Sequence, residues 1–577
     1  MRLNIVKSRN AISYYIIRSV RRNGKNSSEI VEKLGTEKYI KETYHVDDAE
    51  AWARERLADA NAAEQAKEHR VLIPFSKQQL IPVGKQFSFN AGYLFLQGIY
   101  YQLGLPSICN RIKKNHGFSY DLNAILSRLV YGRILYPSSK LSCLEQSAKL
   151  IEQPTFELQH IYRALSVLSE ESDFIQAELY KRSKKVIQRK TGVLFYDCTN
   201  FFFELEQESG LRQYGVSKEH RPNPIVQMGL LMDKSGIPLA FCINKGDQNE
   251  QLSLKPLEQQ IMRDFELSKF IVCTDAGLSS TANRKFNNYG ERSFITTQSV
   301  KKLTASLQQW ALDPSGWNLD GCDGSFDISK LDDTPENRGK VFYKQRLIES
   351  WDTEHDIAFN QTLIVTYSLK YRNYQRQLRE RQVERVMEAL SKPSSLQRHS
   401  QTDAKRFISK TSITGDGEIA DKEIYGLNLD RIEKEAAYDG FYAVCTNLDD
   451  DPAEIVRINH DRWEIEESFR IMKTEFSARP VYLQRDDRIE AHFLTCFIAL
   501  MVYRILEKKL DEKYSCENII QTLQTMNLTL VNNEGYIPAY TRTELTDALH
   551  SYAGFRTDHE LTTKREMSGI IRRTKGI

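Results

Sequence analysis

Two short apolar runs constrain this chain more than any other feature. Val193-Leu-Phe-Tyr196 and Phe270-Ile-Val-Cys-Thr274 each lead straight into an aspartate, Asp197 and Asp275. A run without polar alternation is the pattern of a strand covered on both faces, as in a sheet held between layers of helices. Two further strand candidates lie between them, Ile225–Met232 and Ile237–Ile243. They are joined by Asp233-Lys-Ser-Gly236, which suits a tight hairpin. A helical pattern over Ser253–Phe265 precedes the second run, and a short helix from Ser279 and a strand near Ser293–Thr297 follow it. The order is three antiparallel strands, helix, strand, helix, strand.

That is the order of an RNase H-like core. The expected class is α/β: an RNase H-like catalytic core interrupted by an insertion domain, with a mostly helical N-terminal region and a helical C-terminal region. A chain of 577 residues exceeds what one hydrophobic core supports. We divide it into a small basic β unit (1–45), a mainly helical region (46–190), the first part of the core (191–300), the insertion (301–440), the second part of the core (441–510) and a C-terminal helical region (511–577). In the first unit, Ala11–Val20 is rich in Ile and Tyr, Asn23-Gly24 offers a turn, and Arg18, Arg21, Arg22 and Lys25 add positive charge. A helix is expected from Asp47 to about His69, with Asp47 and Asp48 placed to cap it. The insertion holds a strand at Leu363–Tyr367 and a long helix at Leu369–Leu390. Residues 369–410 carry eleven Lys or Arg against four acids, which reads either as a solvated helix face or as a basic surface. A buried-type strand, Phe441–Cys445, closes this stretch.

Bulk properties exclude several classes. Net charge is +3, so any nucleic-acid signal must be local. The nine cysteines show no Cys-x-x-Cys pair and no zinc-like spacing, which favours a reducing compartment over a disulfide scaffold. The N-terminus lacks the apolar run of a secretion signal. The longest apolar stretch, Phe493–Tyr503, is about half a membrane span and reads as a buried core helix. The expectation is a cytoplasmic protein with no membrane partner.

The strongest local signal is the segment from Asn459 to Lys473. Ile465, Phe469, Met472 and Phe476 are spaced four, three and four residues apart, one apolar stripe of a helix. Arg462, Glu466 and Lys473 lie within about 40° of one another around that helix and form a polar face beside the stripe. An Arg–Glu pair at this spacing is commonly a surface ion pair, and a lone strand-end Asp is commonly a turn or cap residue. The combination is what points to chemistry. Cutting a phosphodiester requires an activated oxygen nucleophile and a stabilised leaving oxyanion, and two divalent ions held by carboxylates supply both. Asp197, Asp275 and Glu466 are the candidate catalytic and metal-binding residues, for two Mg²⁺ or Mn²⁺ ions.

The sequence resembles the DDE transposases of the insertion-sequence-four type, which are bacterial enzymes marked by Tyr-x2-Arg-x3-Glu-x6-Lys. Arg462, Glu466 and Lys473 fit that spacing, Asp197-Cys-Thr199 is similar to the first Asp motif, and Thr274-Asp275-Ala-Gly277 to the second. The likeness covers about residues 190–508. It departs at Asn459, which stands where the signature has Tyr, and at Cys198, which replaces a usual Gly. The resemblance implies cut-and-paste transposition with DNA as partner, both the inverted-repeat ends and the target, DNA binding by residues 46–190, and a homodimer on paired ends in a nucleoid-associated setting. It also implies that Asn459, Arg462 and Lys473 contact DNA phosphates. Asn459 is read in two ways, as the cap of the Glu466 helix or as a phosphate donor. A Trp of the insertion, Trp310, Trp317 or Trp351, is implied as a stack for an unpaired base. Two other readings are a nuclease that makes no strand transfer and a decayed copy that only binds DNA.

Overall fold

A computed structural model describes residues 1–8, 11–22, 25–65, 73, 75–352, 357–391, 403–413, 422–531 and 534–576. The expected Asn23-Gly24 turn, the last residues of the helix expected to reach His69, and part of the basic stretch 369–410 lie outside them, as does the side chain of Trp351. The chain forms two compact units, Met1–Pro82 and Val83–Ile577.

In the first unit, β1 (Arg2–Lys7), β2 (Ile12–Arg22) and β3 (Lys25–Thr36) form an antiparallel sheet, followed by α1 (Glu37–Tyr44) and α2 (Ala49–Gln65). Asp48 Oδ1 accepts from the backbone N–H groups of Glu50 and Ala51, the cap its sequence position suggests. Tyr14, Ile16, Leu34, Ile40 and Ala53 make its small core.

The second unit opens with β4 (Ser88–Asn90) and six helices: α3 (Tyr93–Gln102), α4 (Leu105–His116), α5 (Leu122–Leu135), α6 (Lys140–Ser147), α7 (Leu158–Glu170) and α8 (Ser172–Ser183). The central sheet then begins with β5 (Val193–Phe202), β6 (Ile225–Asp233) and β7 (Pro238–Lys245), continuing through α9 (Leu254–Asp264), β8 (Phe270–Thr274), α10 (Thr281–Phe286) and β9 (Arg292–Gln298). The β6–β7 turn forms as its composition requires. Asp233 Oδ1 accepts from the N–H groups of Ser235 and Ile237, and Gly236 takes φ 73. β5 does not end at Asp197, as the apolar run suggests, but pairs with β6 along its whole length to Phe202. The burial of Thr199, Asn200 and Phe201 explains this, because Cys198–Phe202 has both faces covered although its sequence is mixed.

Residues 300–440 interrupt the core. They supply α11 (Ala305–Leu312), β10 (Trp317–Leu319), β11 (Cys322–Phe326), α12 (Pro335–Arg338), β12 (Phe342–Asp352), β13 (Ile357–Tyr367), α13 (Leu369–Leu390), β14 (Ile408–Ile413), β15 (Lys422–Leu427) and α14 (Leu429–Ala436). The core resumes with β16 (Phe441–Thr446), α15 (Pro452–His460), α16 (Trp463–Lys473) and α17 (Asp486–Lys509). The chain ends with α18 (Cys516–Thr525), β17 (Asn527–Val531), β18 (Gly535–Pro538), α19 (Glu544–Ala553), β19 (Thr562–Thr563) and α20 (Lys564–Thr574).

The large sheet has the order β11-β10-β12-β13-β16-β9-β8-β5-β6-β7. Its β7-β6-β5-β8-β9 half, with β5, β8 and β9 parallel, is the RNase H-like core. Four strands of the insertion extend the same sheet beyond β16 instead of folding away from it. One face packs α3, α5, α7 and α15 to α18 in one core, and the other packs α8, α9 and α11 in a second. α17 is the one helix among the described residues long and apolar enough to cross a membrane, yet its apolar window is 94% buried inside the protein. It is the helix around which the first core is built.

Candidate active site

Period-two alternation decides which way the strand carboxylates point. On β5, Val193, Phe195 and Phe201 face the core that contains α16 and α17, whereas Leu194, Tyr196 and Cys198 face the other. Asp197 has the parity of the first set. On β8, Cys273 faces the α16 side and Val272 the opposite side, so Asp275 points toward α16 as well. The parallel register pairs Tyr196 with Thr274. Asp197 and Asp275 each come one residue beyond that pair, Asp197 still within β5 and Asp275 just past the end of β8.

α16 packs against β5 through the buried stripe Ile465, Phe469 and Met472, and Phe476 just beyond the helix is buried with them. This burial leaves the polar face of α16 open. Arg462 is the hub. Its Nη2 lies 3.3 Å from Glu466 Oε1 and 3.6 Å from Asp275 Oδ1. Burial opposes its charge, but Asp275, Asp197 and Glu466 outweigh that and push its pKa up. Its Nε has no partner among the described residues.

Asp197 is the most enclosed of the three carboxylates. Burial pushes its pKa up to about 6; Lys218, the hydrogen bond from Cys198 N–H at 2.8 Å and Arg462 pull it down, and Asp275 adds to the rise. Asp275 and Glu466 are open, with side chains 48% and 58% exposed. Lys473 lies 3.5 Å from Glu219, over the ring of Phe201, and burial with Lys218 nearby lowers its pKa to about 8.

The structure corrects the reading of Asn459. It lies in the last turn of α15, only 4% exposed, and the N-cap position of α16 is Arg462. Asn459 Nδ2 donates to the Tyr442 hydroxyl at 2.6 Å, and its Oδ1 accepts from the Cys273 thiol at 3.3 Å. Both ends of the amide tie α15 to β16 and β8, so Asn459 does not cap the Glu466 helix. The insertion tryptophans are also resolved by burial. Trp317 is fully buried against Tyr367 and Phe441, with its indole N–H donated to Asp313 O, and is core. Trp310 is partly buried against the same core, with Arg346 over its ring.

Sequence reasoning missed Lys218, Glu219 and Tyr442. Lys218 and Glu219 sit in the irregular loop after β5, where no periodicity marks them. Asn200 pins that loop by donating to Val216 O and accepting from Lys218 N. Lys218 reaches back to Cys198 O and lies 3.3 Å from Glu250.

Residues 190–502, more than half of the chain, match the family model described as the transposase DDE domain. The chain belongs to the DDE transposase family. Members of this family act in DNA transposition and generally use divalent metal ions. No curated protein matches the chain. Among solved structures, a cryo-EM structure of a piggyBac transposase synaptic complex with hairpin DNA is similar at 9% identity, covering 84% of this chain and 83% of that chain with a TM-score of 0.35. That likeness is too distant to bear on the site of this DDE transposase.

The donor set suits a hard divalent ion. It is all carboxylate oxygen, and one member, Asp197, is a carboxylate whose pKa burial raises despite Lys218 and Arg462 nearby, so a bound cation would favour its ionised form. It is not a finished cage, because among the described residues no three His, Cys, Asp or Glu side chains form a ready cluster. Asp197 and Asp275 would hold an ion from adjacent strands, with Glu466 closing from the helix.

Proposed function

We propose that this DDE transposase cleaves DNA at the ends of a mobile element and joins those ends to target DNA, with divalent ions held by Asp197, Asp275 and Glu466. One observation carries the reading: Asp197 and Asp275 each follow directly on the Tyr196–Thr274 pair of adjacent strands, and Arg462 links Asp275 to Glu466. Bound Mg²⁺ or Mn²⁺ lowers the pKa of the attacking oxygen and stabilises the leaving one. The protein's own residues do the rest. Arg462 screens the repulsion between Asp275 and Glu466 and, with Lys473, offers charge to the phosphates on either side of the cut. Lys218, acting on Asp197, keeps the buried carboxylate closer to ionisation. The fit of Arg462, Glu466 and Lys473 to the insertion-sequence-four spacing supports a bacterial insertion-sequence element, cut-and-paste chemistry, and a homodimer on paired ends near the nucleoid.

The test is incubation with the inverted repeats that flank the gene, a supercoiled target plasmid and Mg²⁺. Cleavage at the repeat ends with joined products in the plasmid is expected. Asp275→Asn and Glu466→Gln should give neither product while still binding the ends. Cleavage without joined products would favour a nuclease, and retained cutting in either variant would remove that residue from the site.

A further inference from the structure

The second unit holds a cavity of about 440 Å³, within the range of about 300–1,000 Å³ usual for ligand pockets. It is lined by Arg133, Ser138, Ser139, Lys140, Tyr162 and Arg479 among others, and no Asp or Glu is among the lining residues. Lys140 is the anomaly. It is 6% exposed, it has no hydrogen-bond or ion-pair partner among the described residues, and the charge that acts on it most is another cation, Arg133. Burial with Arg133 alongside holds the Lys140 ammonium down at about 8, and burial, with Arg133 and Lys140 adding to it, keeps His492 from protonating easily. A buried ammonium with no counter-ion is costly and calls for a partner the protein does not supply.

The rest of the pocket matches an anion. The Ser138 hydroxyl is buried without a partner among the described residues. Ser139 is the N-cap of α6 and Lys140 its first residue, so the positive end of that helix opens here. Arg133 is fixed by donating to Phe476 O at 3.0 Å and Ser477 O at 3.3 Å, while its Nε stays free of partners among the described residues. Arg479, at the rim, is ion-paired to Glu219, which also meets Lys473 at the active site. We infer that this pocket is a phosphate-binding site, in which Lys140, Arg133 and the hydroxyls of Ser138 and Ser139 take a phosphoryl group, and that its natural occupant is a backbone phosphate of the DNA strand leaving the active site. The choice of DNA as the source rests on the proposed function; the phosphate chemistry does not.

Two arms separate these. In the first, binding of a fluorescent duplex of arbitrary sequence is measured across salt for the full chain, Lys140→Met and Lys140→Arg. Loss of one phosphate contact lowers the slope of log K against log salt by about one unit and weakens binding about fivefold near 0.15 M salt. Lys140→Met should show both effects and melt no lower than the wild type, since it removes an unpaired buried charge, and Lys140→Arg should restore the slope. In the second arm, without DNA, inorganic pyrophosphate should raise the melting temperature of the wild type more than that of Lys140→Met. A pyrophosphate effect with an unchanged DNA slope would keep the phosphate site and assign it to a free phosphate compound. If the wild type bound no duplex, the proposed function would fail, and the pyrophosphate arm would still decide the pocket. An unchanged slope together with no pyrophosphate difference overturns the inference, as does Lys140→Met that melts lower with DNA and pyrophosphate binding intact, the mark of a structural lysine.

Discussion

Asp197→Asn should make this transposase more stable at neutral pH while abolishing its chemistry. The folded-state pKa of Asp197 is raised from 3.8 to about 6. At 1.36 kcal/mol per unit, that is about 3 kcal/mol of cost for keeping the carboxylate ionised in the fold. The figure is an upper one, because part of the side chain meets water. Between about pH 4 and pH 6 the folded state binds the proton more tightly than the unfolded state, so stability is lost as pH rises through that window, and above it the full cost is carried. The amide of the variant does not titrate. In chelator, urea unfolding of the two proteins should therefore coincide near pH 4 and separate on the way to pH 7, with the variant ahead by up to about 3 kcal/mol, a large share of a usual folding stability. Mg²⁺ at about a hundred times its dissociation constant should then stabilise the wild type by about 2.7 kcal/mol and leave the variant unmoved. A stability difference independent of pH would refute the account of Asp197 as an under-compensated buried anion. An equal response to Mg²⁺ in both proteins would remove it from the metal site.

Three further outcomes follow from the same geometry. Arg462→Ala and Lys473→Ala should each lower the salt slope of end binding by about one unit, measured by fluorescence anisotropy. Unchanged slopes would leave them as structural ion pairs. Asn459→Ala should destabilise the fold by about 1–3 kcal/mol, because it removes buried hydrogen bonds to the Tyr442 hydroxyl, which keeps only Thr297 among the described residues, and to the Cys273 thiol, and should leave the salt slope alone; a reduced slope would place Asn459 among the DNA contacts. Because the pKa of Lys473 is lowered to about 8, end binding should weaken as pH rises from 7 to 9, and Lys473→Arg should bind without that loss.

Much of this arrangement is legible in the chain because burial on both faces leaves an unmistakable trace. Val193–Tyr196 and Phe270–Thr274 read as covered strands, and the apolar stripe Ile465, Phe469 and Met472 turns Arg462, Glu466 and Lys473 to a common face; all three elements form. What stays hidden depends on tertiary context. β12 (Phe-Tyr-Lys-Gln-Arg-Leu-Ile-Glu-Ser-Trp-Asp) mixes charges through its length and reads as no strand, since it pairs on the outer side of β13, away from the core half of the sheet. Asn459 is misplaced by its sequence because its distance from Arg462 suggests a helix start. Instead α15 ends at His460 and α16 begins at Trp463, with Asp461 and Arg462 both still in the right-handed helical region, so the chain bends without exposing a cap. Lys218 and Glu219 have no periodic signal at all. Loop cations become part of a site only when a side chain such as Asn200 pins the loop, and no local pattern predicts that.

Glu219 gives those loop residues their meaning. Its carboxylate meets Arg221 from its own loop and two cations of different surroundings: Lys473, beside Asp197 and its neighbours, and Arg479, which lines the Lys140 pocket. An acid placed between two would-be phosphate ligands neutralises part of their mutual repulsion while DNA is absent, and it fixes the distance between them. When phosphates arrive, they and Glu219 compete for the same cations. If the Lys140 pocket takes a phosphate as inferred, Glu219 would link its occupancy to the charge available beside Asp197, because one acid holds a cation of each. On this arrangement Glu219→Gln should raise the affinity for a duplex of arbitrary sequence, read by anisotropy, since Lys473, Arg479 and Arg221 lose their shared counter-ion. An affinity equal to that of the wild type would leave Glu219 a structural partner of Arg479 and Lys473. The same variant should also blur the preference for correctly seated ends, because the acid that makes phosphate binding conditional has been removed.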